Sequence, residues 1–277
     1  MAEEKVINAF TVDWEDWFHG IELDFDQWKD CEERLEIGTR RLLSLLESSG
    51  CYATFFVLGY AAERAPHLLR DIRAAGHEIG THGYSHRFVY SLDKEEFRSD
   101  LRRSQDVIGS ILGESCGVGH RAPFFSINKN TGWAFDVLRD EGFLYDSSIF
   151  PVHNHRYGIV TSPRWPHVIC SELVEFPLST WRFWGTNIPV SGGAYFRIFP
   201  YNFTRFTLRK INASGKPFVF YIHPWELDPN HPSLDLPRRV RLTHYHNLDN
   251  TESRLQALLR DFSFAPMIDV LNSEGYL

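Results

Sequence analysis

The sequence predicts an α/β barrel in a single domain, and three observations carry that expectation. Short apolar runs alternate with helical patterns along most of the chain, the signature of parallel strands joined by helical crossovers. Polar residues recur just past the ends of those runs, at Asp13, His82, Arg121, Asp146 and His223, where a β/α barrel carries its catalytic rim. No repeat, low-complexity tract or composition shift marks a boundary, and 277 residues at 43% hydrophobic and 15% aromatic content supply a large core.

The elements follow in order. Val6 to Asp13 (VINAFTVD) reads as a buried strand ending in an acid, before the polar and aromatic stretch Trp14 to His19. Leu35 to Ser49 carries Leu42, Leu43, Leu45 and Leu46 at helical spacing, with Gly50 placed to end the helix. Tyr52 to Leu58 is a second strand; Pro66 to Ala75 is a helix with its proline in the first turn and Gly76 as its stop. Glu78-Ile79-Gly80 opens a third strand. Asp93 to Leu112 is the clearest helix, with Asp93 and Glu96 as a capping box and Phe97, Leu101, Ile108 and Ile111 on one face. Gly117 to Arg121 suggests a short strand. Asn130 is placed to cap a helix through Trp133, Val137 and Leu138 that Gly142 ends, and Phe143 to Tyr145 is a brief strand closed by Asp146.

From Phe150 to Gly193 the pattern breaks. Pro151, Pro163, Pro166, Pro177 and Pro189 interrupt it, and only Leu173 to Phe176 suggests a strand. Such a long irregular segment is expected to be functional surface. Pro200 to Ile211 then reads as a helix, Pro217 to Ile222 as an apolar strand ending at His223, and Thr251 to Leu259 as the last amphipathic helix, after a loop of prolines and histidines.

A formal net charge of -7 argues against a nucleic-acid partner, whose phosphates would be repelled. Met1 to Lys5 lacks the basic and apolar regions of a secretion signal, so a cytoplasmic location is expected. No apolar run is long enough to span a bilayer. Cys31, Cys51, Cys116 and Cys170 are scattered, so neither a structural zinc site nor a disulfide framework is expected.

The chemistry centres on Thr81-His82-Gly83-Tyr84-Ser85-His86. Two imidazoles four residues apart can reach one metal ion, although such a pair alone is as readily two unrelated histidines. A catalytic ion needs a third ligand and an open position for water, and Asp13, Glu15 or Asp16 after the first strand could supply it. His223, at a strand end, becomes a candidate proton donor if it shares that rim. Arg121 is costly to bury without an acid partner and should pair with a carboxylate. A metal-activated water, a carboxylate base, an imidazole acid and a tuning arginine are the parts for hydrolysis at a carbonyl.

Asp13, His82-Gly-Tyr-Ser-His86, Arg121-Ala-Pro123 and Ile222-His223 occur in the order found in the NodB-type polysaccharide deacetylases, carbohydrate esterase family 4. Tyr52-Ala-Thr-Phe-Phe-Val and Ala75-Gly-His-Glu-Ile-Gly resemble that family's second and third strands. The resemblance runs from Val6 to about Trp225. The remainder resembles the extension of a subgroup associated with exopolysaccharide loci. What this implies is a distorted (β/α) barrel of about seven parallel strands with outer helices: one catalytic domain over 1–277, with an irregular insertion around 150–195 and a C-terminal extension from about 226. It also implies a divalent metal, commonly zinc, and removal of N-acetyl groups from an N-acetylated sugar in a polysaccharide or its precursor. By the same resemblance His82 and His86 would be ligands, Asp13 the base, His223 the acid, Arg121 the residue that holds Asp13, and Asp146 the acid that orients the catalytic histidine. A backbone N–H near Tyr84 would help to stabilise the oxyanion.

One departure is plain: where the family has two adjacent aspartates, Asp13 is followed by Trp14. The metal carboxylate must be Glu15 or Asp16. Glu15 is favoured if the strand continues, because alternate residues share a face; Asp16 is favoured if the chain turns. A deformylase or small-amide hydrolase of this fold, and an inactive carbohydrate-binding homologue, are the competing readings. His153-Asn154-His155 lacks the context of a nuclease motif, and His244 and His246 are expected to be exposed. Trp14, Trp17, Trp181, Trp184 and Trp225 are either a sugar-stacking platform or core. Ser191-Gly192-Gly193 is expected to be a turn with no helix directly after it.

Overall fold

The computed structural model describes residues 6–21, 23, 25–115, 117–154 and 157–277. Cys116, His155 and the first five residues, on which expectations about thiols, a nuclease-like motif and a leader fall, lie outside the described residues. The elements run β1 (Ile7–Trp14), α1 (Leu35–Ser48), β2 (Thr54–Val57), α2 (Gly59–Arg64), α3 (Pro66–Ala74), β3 (Glu78–Thr81), α4 (Lys94–Leu112), β4 (Gly119–His120), α5 (Trp133–Asp140) and β5 (Tyr145–Asp146). There follow β6 (His167–Cys170), β7 (Leu173–Glu175), β8 (Thr180–Phe183), β9 (Thr186–Pro189), α6 (Gly193–Ile198), α7 (Tyr201–Asn212), β10 (Val219–Ile222), α8 (Arg238–Tyr245), α9 (Thr251–Asp261), β11 (Ser263–Ala265) and α10 (Met267–Ser273).

Seven strands lie parallel in the order β10-β1-β2-β3-β4-β5-β7, with β6 antiparallel beyond β7 and β11 parallel to the start of β1. This curled sheet is the distorted barrel. Between β7 and β10 hydroxyls replace a ladder: Ser179 Oγ accepts from the Val219 N–H at 2.8 Å, and Ser191 Oγ accepts from the Ser179 N–H at 2.7 Å while donating to the Val219 carbonyl at 2.8 Å. Strands covered on both faces read as near-continuous apolar runs, and every residue of β1 from Asn8 onward is buried, the polar Asn8, Thr11 and Asp13 among them.

Helix placement is set by close contacts. A Cβ on Gly38 of α1 would stand 2.0 Å from the Pro224 carbonyl oxygen, so only glycine lets α1 lie on the turn Pro224–Leu227 that follows β10. Trp14 Nε1 donates to Thr39 Oγ1 at 3.0 Å, locking α1 to β1. At α4 the capping box of Asp93 and Glu96 is present, and Gly113 ends the helix in the left-handed conformation.

Several expectations are corrected. Asn130 caps nothing: α5 starts at Trp133, and Thr131 Oγ1 ties the preceding turn to the Asn128 N–H at 2.8 Å. The irregular segment holds β6, the β8–β9 hairpin and the start of α6, and α6 does follow Ser191-Gly192 directly. Pro166, Pro177 and Pro189 sit at or near the ends of elements only three or four residues long, which is why no periodicity showed. Helix α8 replaces an expected loop; its only buried residue is His244, so it carries no apolar stripe to read. Strand β11 and helix α10 extend the chain past the expected last helix. Cys31, Cys51 and Cys170 are free thiols. Among the described residues no helix is long and apolar enough to cross a membrane.

Candidate active site

The carboxyl ends of β1, β3 and β10 deliver Asp13, Glu15, His82, His86 and His223 to one cavity of about 530 Å³, and Arg121, after β4, reaches Asp13 from behind it. Strand β1 continues through Trp14, whose ring is fully buried on the core side, so Asp13 and Glu15 fall on the other face and both line the cavity. The histidine loop is held from outside. Asp100 of α4 accepts the Tyr84 N–H at 2.8 Å and the Ser85 N–H at 3.1 Å. The Tyr84 and Ser85 N–H groups are thereby consumed, so an oxyanion donor among the neighbours of Tyr84 would have to be another N–H. His86 has a φ of 52°, a conformation a non-glycine residue holds only when its surroundings enforce it; its ring packs on Phe124 at 4.5 Å.

Glu15, His82 and His86 bring one ligand atom each to within 4.8 Å of one another, and all three are buried. His82 Nδ1 lies 2.7 Å from the Arg121 carbonyl oxygen; donation there fixes the tautomer and turns the Nε2 lone pair toward the cavity. His86 Nε2 stands 2.7 Å from Glu15 Oε2, yet Glu15 Oε2 has no hydrogen-bond partner among the described residues. As ligands, one carboxylate and two imidazoles would turn their lone pairs toward one point, an arrangement that a shared cation fits. Burial pulls the His82 imidazole down to about 4, so it is a neutral ligand at pH 7. Burial alone would raise Glu15, but the charges and contacts of His86, His223 and His82 outweigh it and hold the carboxyl well below its usual range. The donor set of one carboxylate and two imidazoles suits zinc or a similar divalent ion.

On one side stands Asp13, only 2% exposed. Arg121, fully buried, donates from Nη1 to Asp13 Oδ1 at 2.7 Å and to Thr11 Oγ1 at 2.8 Å. Its remaining donors go to the Ser147 carbonyl at 3.0 Å and Ser147 Oγ at 2.9 Å. On the other side His223 Nε2 faces Asp13 Oδ2 at 3.9 Å and Glu15 Oε1 at 3.7 Å. Its ring stacks on Trp225 at 5.0 Å.

Two expected site residues do other work. Asp146 does not orient His223: Asp146 Oδ1 pairs with His120 Nδ1 at 2.6 Å and accepts from Ser148 Oγ at 2.7 Å, inside the core. The acid that holds His223 is Glu226, whose Oε1 meets His223 Nδ1 at 2.9 Å and the His223 backbone N–H at 3.0 Å. Asp16 is not among the converging ligands: it accepts the N–H groups of Trp17 at 2.8 Å, Arg34 at 2.7 Å and Leu35 at 2.9 Å, serving the start of α1.

Glu226 and its partner Arg197 went unread in the sequence, although an acid three residues past a strand-end histidine was a usable signal. Arg197 Nε donates to Glu226 Oε2 at 2.5 Å, and its Nη groups reach the carbonyls of Thr243 at 2.6 Å, His244 at 3.0 Å and His246 at 2.8 Å. This buried chain ties His223 to the end of α8. Burial would raise Glu226, but Arg197 and His223 bring it down to about 2. For His223, burial lowers the pKa and the carboxylates of Glu226, Glu15 and Asp13 raise it; the raising effects win. His244, expected to be exposed, is buried against Trp225 at 4.2 Å and lines the cavity. His19, also unread, is buried, with Nδ1 accepting the Asp16 N–H at 2.9 Å. The tryptophans form no common platform: Trp14 and Trp17 are core, Trp225 lines the cavity, and Trp184 is 92% exposed.

Comparison with known proteins agrees with these motifs. Residues 20–143 match the polysaccharide deacetylase family, and residues 147–272 match a domain of unknown function, DUF3473. The chain is 32% identical over 119 residues to a peptidoglycan deacetylase of Helicobacter pylori, covering 43% of this chain and 39% of that protein. It is 31% identical over 93 residues to a peptidoglycan-N-acetylglucosamine deacetylase of Bacillus cereus, covering 34% and 32% respectively. It thus spans less than half the length of these relatives. The structure of a candidate polysaccharide deacetylase from Mycobacterium smegmatis superposes with a TM-score of 0.65 at 23% identity, over 99% of this chain and 91% of that one, and shares the fold. The histidine loop and Arg121 both lie inside the stretch that matches the polysaccharide deacetylase family.

Proposed function

We propose that this protein is a metal-dependent hydrolase that removes N-acetyl groups from an N-acetylated sugar. The observation that carries the reading is the convergence of Glu15, His82 and His86 between an Asp13–Arg121 pair and a His223–Glu226 pair on one cavity. A divalent ion, zinc by the donor set, would polarise the amide carbonyl and acidify the attacking water.

Everything else is done by the chain. Arg121 occupies Asp13 Oδ1 and leaves Oδ2 toward the cavity, where it takes the proton of the attacking water. His223, protonated more readily than an ordinary imidazole, presents Nε2 to the same space and gives its proton to the nitrogen as the C–N bond breaks. Acetate and the free amine of the sugar are the products. Tyr157, Tyr195 and Trp225 line the same cavity and suit the apolar faces of a sugar ring. The names of the relatives favour a glucosamine-containing polymer or its precursor as the substrate class.

The test is acetate release over a panel of N-acetylated sugars, with and without chelator, beside His223→Ala. Release that needs the metal and falls at least about 100-fold in the variant supports the reading. Metal bound without acetate from any sugar points to a small-amide substrate or to binding alone. Release that survives the chelator removes the metal from the mechanism.

A further inference from the structure

Away from the cavity, the β8–β9 hairpin ends in a two-residue turn at Trp184 and Gly185, with φ of 45° and 80°. Positive φ at both positions is the hairpin turn that asparagine-glycine adopts readily and a bulky side chain does not. The sequence nonetheless puts a tryptophan there, and the turn holds it 92% exposed. It is not an isolated surface ring. Trp184 stacks on Phe183 at 5.5 Å, Phe183 on Trp181 at 4.9 Å, and Trp181 meets Phe206 of α7 edge-on at 5.9 Å. Phe183 and Phe206 are 46% and 48% exposed.

Cations border these rings. Arg182 is exposed on the hairpin, and Arg164 donates to the Thr180 carbonyl at its base. Lys210 lies 5.6 Å from the Phe206 ring, with Arg205 and Arg209 on the same helix. The acid facing them is Asp261, bonded to Arg209 at 2.9 Å and 3.8 Å from Arg205. On a chain with a formal net charge of -7, this is a local cationic patch around a protruding aromatic tip.

We propose that the hairpin and the adjoining face of α7 dock this protein onto an anionic lipid surface. Tryptophan and phenylalanine settle at the level of lipid headgroups, and basic side chains beside them are drawn to anionic lipid. The cations beside the rings favour a bilayer over a glycan: a neutral glycan would use the rings alone, whereas an anionic surface draws on the rings and on Arg182, Arg205, Arg209 and Lys210 together.

The test is flotation of the full chain with phosphatidylcholine vesicles, with and without about one-third phosphatidylserine, at low and high salt. The expected result is binding to the anionic vesicles only, weakened by salt. Trp184→Asn should abolish that binding while holding or raising the melting temperature, because asparagine suits the turn. Lys210→Glu with Arg182→Glu should weaken binding by more than about 20-fold, at roughly fivefold for each cation removed. No flotation of the wild type, flotation undiminished in Trp184→Asn, or retention on a soluble polysaccharide instead of vesicles overturns the proposal.

Discussion

Glu226→Ala and Glu226→Gln separate what the buried chain from His223 to α8 does for folding and for catalysis. Glu226 is fully buried between Arg197, 1% exposed, and the His223 imidazole. Removing the carboxylate leaves a guanidinium inside the protein without its counter-charge, a defect of about 3–5 kcal/mol. The depression of Glu226 from 4.5 to about 2 corresponds to roughly 3 kcal/mol of charge-dependent stability, the same order. In a chain of this size Glu226→Ala should lower the melting temperature by about 10 °C. Glu226→Gln keeps the volume and an acceptor, and should lose less.

The pH dependence gives the sign. Glu226 is depressed, so its contribution is present above 4.5 and is lost as the pH falls toward about 2. His223 is raised above 6.5, so its contribution is complete below 6.5 and is lost as the pH rises through the folded value. With His223 as the proposed acid, activity should also fall on that alkaline side. In Glu226→Gln the carboxylate that raises His223 is gone, so the alkaline limb of kcat/KM should move to lower pH. Thermal melts from pH 3 to 9 and the pH–rate profile are the assays. A Glu226→Gln protein with an unmoved alkaline limb would refute the idea that Glu226 tunes His223, whatever its stability.

Four further outcomes are expected. Glu15→Ala should fail to retain zinc in equilibrium dialysis while melting near the wild type. Asp16→Ala should retain one equivalent and lose about 1–2 kcal/mol of stability through its three N–H partners; the reverse pattern would exchange the roles of the two acids. Arg121→Lys should not rescue Arg121→Ala in stability or acetate release, because one ammonium cannot serve Thr11, Asp13 and Ser147 together. Gly38→Ala should cost at least about 1–3 kcal/mol in chemical denaturation and slow turnover, since α1 would push on the turn that carries Glu226.

How far the sequence could be read depends on period. Strands β1, β2 and β10 are buried on both faces and mostly apolar, and α4 carries both an apolar face and a capping box, so all four stood out. Helix α8 and strand β11 did not, because one has a single buried residue and the other spans three residues. At the site, residues at strand ends were legible by position, and the ordered motifs implied a role for each. What was not legible was partnership across the fold. Asp146 sits at a strand end like the others, but its side chain meets His120, while Glu226 reaches His223 from the turn beyond. Asp16 and Glu15 are adjacent, and only the path of the chain after Trp14 separates a helix-serving carboxylate from a metal-facing one.

The most direct measurement is acetate release from a reactive N-acetylated sugar by chelator-stripped protein, followed as zinc is added back. The expected curve starts near zero, rises in proportion to metal and stops at one equivalent, with Glu15→Ala flat throughout. Acetate release by the stripped protein, or a stripped protein that binds one zinc and stays silent on every N-acetylated sugar, would contradict a metal-dependent deacetylase at this site.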